Sequence, residues 1–262
     1  MNDTPTPVQK TPSPVTAFLT AVQFLLVSPA FIKRPFTAQE LGAAVGFYPL
    51  VGLILGGILL AADYGLSFFM PPLVRAALVL ALWVILTGAL HLDGFLDACD
   101  GLFGGYTPEA RLEIMRDERV GAFALAGGAL LLLLKFSTLS AIPPIAPALL
   151  LAPVLGRWGM TFALVVFPYA RLEGLGRAVK DNAGQQQLIL ATAIALLTSL
   201  VVAWWWADWR ALLAFAAAIL TAWVGVKYTL SRIPGLTGDI YGALNEIIEV
   251  AVLLVMASAS LN

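Results

Sequence analysis

Charge is what this 262-residue chain has least of. Only 12% of its residues are charged and 60% are hydrophobic, whereas a soluble domain carries about 25% charged residues. That balance excludes an ordinary soluble surface. The 15 Lys and Arg nearly cancel the 16 Asp and Glu, leaving a net charge of −1, so bulk charge supplies no reason to expect a nucleic-acid partner. A single cysteine, Cys99, excludes an internal disulfide and reads as a small packing residue. The opening residues are polar and rich in Pro and Thr, without the basic segment and cleavage site of a signal peptide. The expectation is a disordered polar tail over 1–14 and one transmembrane helical catalytic domain over 15–262.

What is abundant is apolar length. A bilayer-crossing helix needs about 20 mostly apolar residues, and the chain offers Phe47–Tyr64, Ala76–Leu92, Gly121–Ile142, Ala146–Val166, Gln187–Trp206, Ala211–Leu230 and a last run through Ile247–Met256. An eighth candidate, Val15–Phe31, is short, contains Gln23 and ends at Ser28-Pro29, so it either spans or lies in the interface. The fold class is therefore all-α, a polytopic transmembrane bundle of about seven or eight membrane helices. Thr37 and Glu40 have capping-box spacing, and Pro71-Pro72 and Pro143-Pro144 punctuate the runs. With alternating loops, one face collects Lys33, Arg34, Arg111, Arg116, Arg119, Arg171, Arg177, Lys180 and Arg232, and the other only Arg75, Arg210 and Lys10. Short basic loops stay cytoplasmic, so the charged loops are expected to face the cytoplasm. Trp204, Trp205, Trp206 and Trp209 read as an interfacial aromatic belt.

The decisive stretch is His91-Leu92-Asp93-Gly94-Phe95-Leu96-Asp97-Ala98-Cys99-Asp100-Gly101, directly after an apolar run. If the helix continues, Asp93, Asp97 and Asp100 fall on one stripe at i, i+4 and i+7. Three like charges there repel, and carboxylates at a membrane span are costly unless functional. A divalent cation relieves both problems, and oxygen ligands with positions left for water and phosphate suit Mg²⁺, or Mn²⁺. A second acidic stripe, Asp239, Glu246 and Glu249, enters the last span. Here Asp239 is a candidate outer metal ligand or substrate contact, and the glutamates bind a polar group or hold a helix pair.

Basic and polar candidates lie between these stripes. Arg111, Arg116, Asp117 and Arg119 form a mixed-charge segment whose guanidinium groups suit phosphate, although pairing within the segment is the commoner outcome. Lys135 and Arg157 lie inside apolar runs and must pair or face a polar cavity. Arg171, Glu173 and Lys180 belong to a glycine-containing loop able to approach a phosphate. His91, the only histidine, points away from the aspartate stripe on an ideal helix; it is a candidate acid, base or positioning group.

Taken together these blocks resemble the cobalamin synthase family, also named adenosylcobinamide-GDP ribazoletransferase. The resemblance rests on Phe47-Tyr48-Pro49-Leu50-Val51-Gly52, on Leu86 through Gly101, on Arg111 through Gly121 with Met115-Arg116-Asp117, on Gly156-Arg157, on Tyr169 through Gly176, and on Thr237-Gly238-Asp239. One departure is Phe24 through Pro29, where the family usually has an Arg-containing turn. The resemblance implies a multi-pass enzyme of the bacterial cytoplasmic (inner) membrane. It would be Mg²⁺-dependent and would join adenosylcobinamide-GDP to α-ribazole or α-ribazole 5′-phosphate, releasing GMP. On that reading Asp93, Asp97 and Asp100 hold metal and diphosphate, an aspartate or His91 takes the proton, and Arg116, Arg119, Arg157 and Lys180 steady the leaving group. The lipid bilayer is the other partner, and a homo-oligomer is compatible with all of this. The nearest rival is a CDP-alcohol phosphotransferase, whose Asp-x-x-Asp-Gly opening matches Asp97 through Gly101 but whose Ala-Arg is replaced by Gly104-Gly105. A membrane prenyltransferase fits less well. An ion-coupled transporter would use Lys135, Arg157, Glu246 and Glu249 near the midplane.

Overall fold

The computed structural model describes residues 12–142 and 145–258. Among them are twelve α-helices, one 3-10 turn and no strand beyond an isolated bridge between Tyr169 and Leu236. The polar tail lies outside the described residues as far as residue 11, and so does the Pro143-Pro144 connection. The first helix starts at Pro14, with the Ser13 hydroxyl as its cap and the proline in its first turn.

That first helix, α1 (Pro14–Leu25), has 12 residues and is about 18 Å long, against a hydrocarbon layer of about 30 Å. It is too short to cross. The apolar run turns back instead, and Gln23 holds the turn by bonding both the N–H and the carbonyl of Ile32, at 3.0 and 3.1 Å. The expected capping box at Thr37 and Glu40 is present and opens α2 (Ala38–Ala44). A 3-10 turn, Val45–Phe47, then leads into α3 (Tyr48–Leu66), so that Ala38–Leu66 makes one 29-residue apolar unit.

The second correction concerns the aspartate run. The helix of the preceding apolar run does not continue straight into it. The helices α4 (Pro72–Leu86) and α5 (Leu90–Gly104) are bent by 88° at Thr87-Gly88-Ala89. The amides of Gly88 and Ala89 bond back to Ile85 and Val84, both at 3.0 Å, a Schellman closure with Gly88 left-handed at φ 57°. Ala89 follows at φ 56°, an unfavourable conformation for a residue with a Cβ. All three aspartates lie beyond the bend, so their shared stripe survives.

The chain then runs through α6 (Pro108–Ile114), α7 (Ala122–Ala141), α8 (Ala146–Val166), the short amphipathic α9 (Leu175–Asn182), α10 (Gln185–Trp205), α11 (Arg210–Leu230) and α12 (Gly238–Ala257). Six helical units are each long and apolar enough to cross a membrane, and the bent α4–α5 pair makes a seventh if taken as one span. In α8 and α12, 78% and 72% of the apolar window is buried, against 28% in α10 and α11. The first two are therefore the core of the bundle and the last two its lipid-facing wall. Small residues allow the core to close. A Cβ on Gly52 or Gly56 of α3 would run into the α8 backbone at Pro153 and Leu149, the close approach typical of helices packed in lipid.

Alternation brings the loops around α5, α6, α9 and the α11–α12 turn to one end. Two backbone hydrogen bonds of 2.8 Å, Ala170 to Leu236 and Leu236 to Pro168, lock the loop after α8 onto the turn before α12. At the opposite end Arg75 pairs with Asp63, and Arg210 pairs with Asp208 while donating to the carbonyls of Met256 and Ser258.

Candidate active site

The site is built where α5 crosses the start of α12. A Cβ on Gly94 would come to 3.0 Å from the Asp239 carbonyl, and one on Gly242 to 3.0 Å from the His91 carbonyl. Without side chains at these two points the helices touch backbone to backbone, and Asp93 and Asp239 are brought to the same cavity.

The three aspartates of α5 do not do the same work. Asp100 is buried, and its two carboxylate oxygens accept the backbone N–H of Gly121 at 2.6 Å and of Ala124 at 2.8 Å. It caps the N-terminus of α7 from another helix, where unpaired amides and the helix dipole both favour a negative charge. Asp93 is exposed and Asp97 half-buried, and neither side chain makes a hydrogen bond or ion pair among the described residues. Both line a charged cavity of about 230 Å³ together with Asp100, Arg116, Asp117, Glu118 and Arg119. Asp239 is engaged: Arg171 donates to it at 2.7 Å and the Thr237 hydroxyl at 3.2 Å.

Among the described residues no three His, Cys, Asp or Glu side chains form a ready-made metal cage. Mg²⁺ does not need one, because it is held by one or two carboxylates with water and substrate phosphate completing its shell. The two uncommitted carboxylates, facing a cavity that also contains arginines, fit that requirement.

The basic residues divide in the same way. Arg116 and Arg119 face the charged cavity. Arg119 is engaged by Asp117 at 2.5 Å, and this guanidinium holds the Asp117 carboxyl down at about 2. Pairing within the segment is thus realised, between these two residues. Arg111 is buried and donates to the Arg232 carbonyl at 3.1 Å, stitching α6 to the α11–α12 turn. Lys180 donates to the carbonyls of Leu164 and Val165 at 2.7 and 2.9 Å. It closes the C-terminus of α8, and burial there lowers its pKa. Arg171 and Glu173 line a second cavity of about 330 Å³, which meets the charged one at Asp93.

Lys135, Arg157, Glu246 and Glu249 are buried in the bundle. Lys135 bonds both glutamates at 2.5 Å, and Arg157 bonds Glu249 at 3.0 Å. The Asn245 amide also donates to Glu249, at 2.9 Å. Two cations and two carboxylates neutralise one another beneath the site, and none of the four lines either cavity.

Two features escaped the sequence reading. The capping role of Asp100 had one available signal: α7 starts at Val120-Gly121-Ala122 with no capping side chain of its own. The aromatic wall of the second cavity, Tyr48, Tyr169 and Tyr241, comes from three distant segments that no spacing rule connects.

Comparison with known proteins places the whole bundle in one family. The family profile described as cobalamin-5-phosphate synthase matches residues 17–257. Proteins named adenosylcobinamide-GDP ribazoletransferase are 40% identical in Desulfitobacterium hafniense (240 residues, 89% of this chain and 93% of the relative) and 41% identical in Pseudomonas aeruginosa PAO1 (244 residues, 92% and 97%). A third, from Acetivibrio thermocellus, is 38% identical over 87% of this chain and 92% of its own length. No solved structure gives a significant match. Since the match runs across almost the whole bundle and includes both acidic stripes, the chain belongs to the cobalamin-5-phosphate synthase family.

Proposed function

We propose that this membrane protein joins adenosylcobinamide-GDP to α-ribazole, or to α-ribazole 5′-phosphate, giving adenosylcobalamin or its 5′-phosphate and releasing GMP. The observation that carries the reading is the pair of unpaired carboxylates, Asp93 and Asp97, sharing one cavity with Arg116 and Arg119. Phosphoryl transfer asks for positioning and charge neutralisation more than for a covalent nucleophile, and a site of mixed sign supplies both.

In the reaction a ribose hydroxyl of the acceptor attacks the phosphorus that carries the cobinamide aminopropanol. A new O–P bond forms, the diphosphate P–O bond breaks, GMP takes the electron pair, and the hydroxyl proton is lost. Asp93 and Asp97 are the residues that would hold Mg²⁺, which when bound neutralises diphosphate oxygens. Asp93, at the junction of the two cavities, is placed to accept the hydroxyl proton. Arg116 offers a fork-shaped donor to the leaving phosphate, and Arg119, whose Nε and Nη2 are held by Asp117, adds positive charge beside it. Asp100 and Asp239 brace the site through their own partners, Asp100 by fixing α7 and Asp239 by fixing Arg171. The bias of basic loops toward this end supports a site facing the cytoplasm, and bacterial relatives support placement in the cytoplasmic membrane.

The test is formation of GMP and of the corrinoid product by purified protein in detergent, with both substrates and Mg²⁺. Activity that needs both substrates is expected. Release of CMP from a CDP-alcohol, with no GMP formed, would replace this reading with the rival phosphotransferase.

A further inference from the structure

Resting on the reaction proposed above, we infer that the cavity bounded by Tyr48, His91, Tyr169 and Tyr241 is the seat of the acceptor nucleoside, and that it selects a flat aromatic ring with few hydrogen-bonding groups attached to a ribose. Three observations lead there. First, the cavity is about 330 Å³ and mostly apolar, with Phe24, Met160, Leu164 and Val179 among its lining. That volume admits a nucleoside and is far too small for a corrin ring, within the usual range of small-molecule pockets.

Second, its aromatic lining comes as stacked pairs. Tyr169 and Tyr241 have ring centroids 6.1 Å apart at 26°, and Phe24 and Tyr48 are 6.4 Å apart at 16°. Such surfaces hold a planar ring by offset stacking.

Third, the lining contains polar atoms with nothing to bond. His91 is 1% exposed and Tyr241 4%, and among the described residues neither ring nitrogen of the first nor the hydroxyl of the second has a partner. A buried polar group left unmade costs about 1–3 kcal/mol, a cost that hydrogen bonds from a bound ligand would relieve. Such groups are few. A guanine base presents several donors and acceptors along its edge and would leave most of them unmet against Met160, Leu164 and Val179. A benzimidazole-type base has no such edge, and the ribose hydroxyls are left for His91 and Tyr241. Asp93 lines both this cavity and the charged one, so a ribose hydroxyl held beside it is turned toward the diphosphate while the base stays behind. His91 and Tyr241 act here as positioning groups for the acceptor.

The experiment uses the full chain in detergent, with α-ribazole and adenosylcobinamide-GDP varied separately and α-ribazole binding also measured alone by calorimetry. Tyr241→Phe is expected to raise KM and Kd for α-ribazole about tenfold, the equivalent of one hydrogen bond at 1.4 kcal/mol per decade, with KM for the guanylated substrate unchanged. His91→Asn should weaken α-ribazole in the same direction. Leu175→Trp, at an exposed rim position of the cavity, should do so by blocking entry, and it serves as the readout if Tyr241→Phe is not monodisperse. A rise in KM for adenosylcobinamide-GDP instead would give the cavity to the guanosine and overturn the inference. Unchanged constants for both substrates in Tyr241→Phe and Leu175→Trp would overturn it as well. If wild-type protein binds α-ribazole but makes no GMP, it is the reaction that fails; if it makes product and these variants leave α-ribazole untouched, it is the seat.

Discussion

Two groups of charge lie close together in this bundle and have opposite character. Beneath the site, Lys135, Arg157, Glu246 and Glu249 are sealed from solvent and satisfy one another. At the lip, Asp93 and Asp97 are of one sign, unpaired and open to a cavity. The first arrangement spends its electrostatics on holding α7, α8 and α12 together. The second keeps carboxylates of like sign adjacent, which stabilises nothing in the fold and is useful only when something positive arrives. Balanced, buried charge marks architecture here, and unbalanced, accessible charge marks chemistry.

The largest effect expected from breaking that contrast is on the sealed cluster. Lys135→Met leaves Glu246 and Glu249 with Arg157 as their only cation, and removing one partner of a buried ion pair costs about 3–5 kcal/mol. Loss of most monodisperse protein in detergent, or a large fall in its melting temperature, is the expected result. Lys135→Met combined with Glu246→Gln restores the balance of charge and should recover much of that loss. A single Lys135→Met protein as stable as wild type but inactive would place the cluster in the chemistry and erase the contrast.

Next comes the open pair. Asp97→Asn keeps shape and removes charge; its kcat is expected to fall about 10²–10³-fold, as for other groups that stabilise charge during reaction, while the melting temperature stays within about a degree. Chelation of divalent ions should abolish turnover in wild-type protein without unfolding it, with Mg²⁺ restoring activity, read out as GMP release. Asp100 sharpens the comparison from within the same helix. Because its oxygens cap α7, Asp100→Ala should cost about 1–2 kcal/mol of stability, measured by thermal unfolding, and Asp100→Asn less, since one amide can still be accepted. Asp97→Asn and Asp100→Asn thus separate activity from stability at two positions one turn apart.

The bundle itself was legible because lipid demands long apolar helices, and the runs from Phe47 onward correspond to helices in the structure, except Ala76–Leu92, which is broken by the bend. The site was legible in part. Carboxylates at helical spacing after an apolar run stand out against a chain with so little charge. What each one does was not, because a role depends on the partner: Asp100 meets an amide 21 residues away, and Asp239 meets Arg171 across 68 residues. The same limit left the first helix undecided and hid the bend. Apolar content alone counts Val15–Phe31 as a span, but Gln23 turns the chain back by bonding Ile32. Likewise Leu86-Thr87-Gly88-Ala89-Leu90 reads as continuous helix until the glycine is seen to close it.

That bend carries the smallest prediction and connects the two regions. The aspartate helix leaves α4 through two consecutive left-handed residues, and only the first is a glycine. A left-handed conformation costs a residue with a Cβ about 1–2 kcal/mol, partly offset in an exchange to glycine by the greater freedom of the unfolded chain. Ala89→Gly should therefore raise stability by about 0.5–1 kcal/mol, visible as a slightly higher melting temperature. Activity need not follow in the same direction. Ala89 is the residue from which α5 starts, and a glycine there lets the helix swing, so Asp93 and Asp97 would be less firmly held against Arg116 and Arg119. A variant more stable and less active would show that the strained alanine is kept because it aims the helix. One more stable and equally active would show that the contact of Gly94 and Gly242 between α5 and α12 is enough to hold the carboxylates in place.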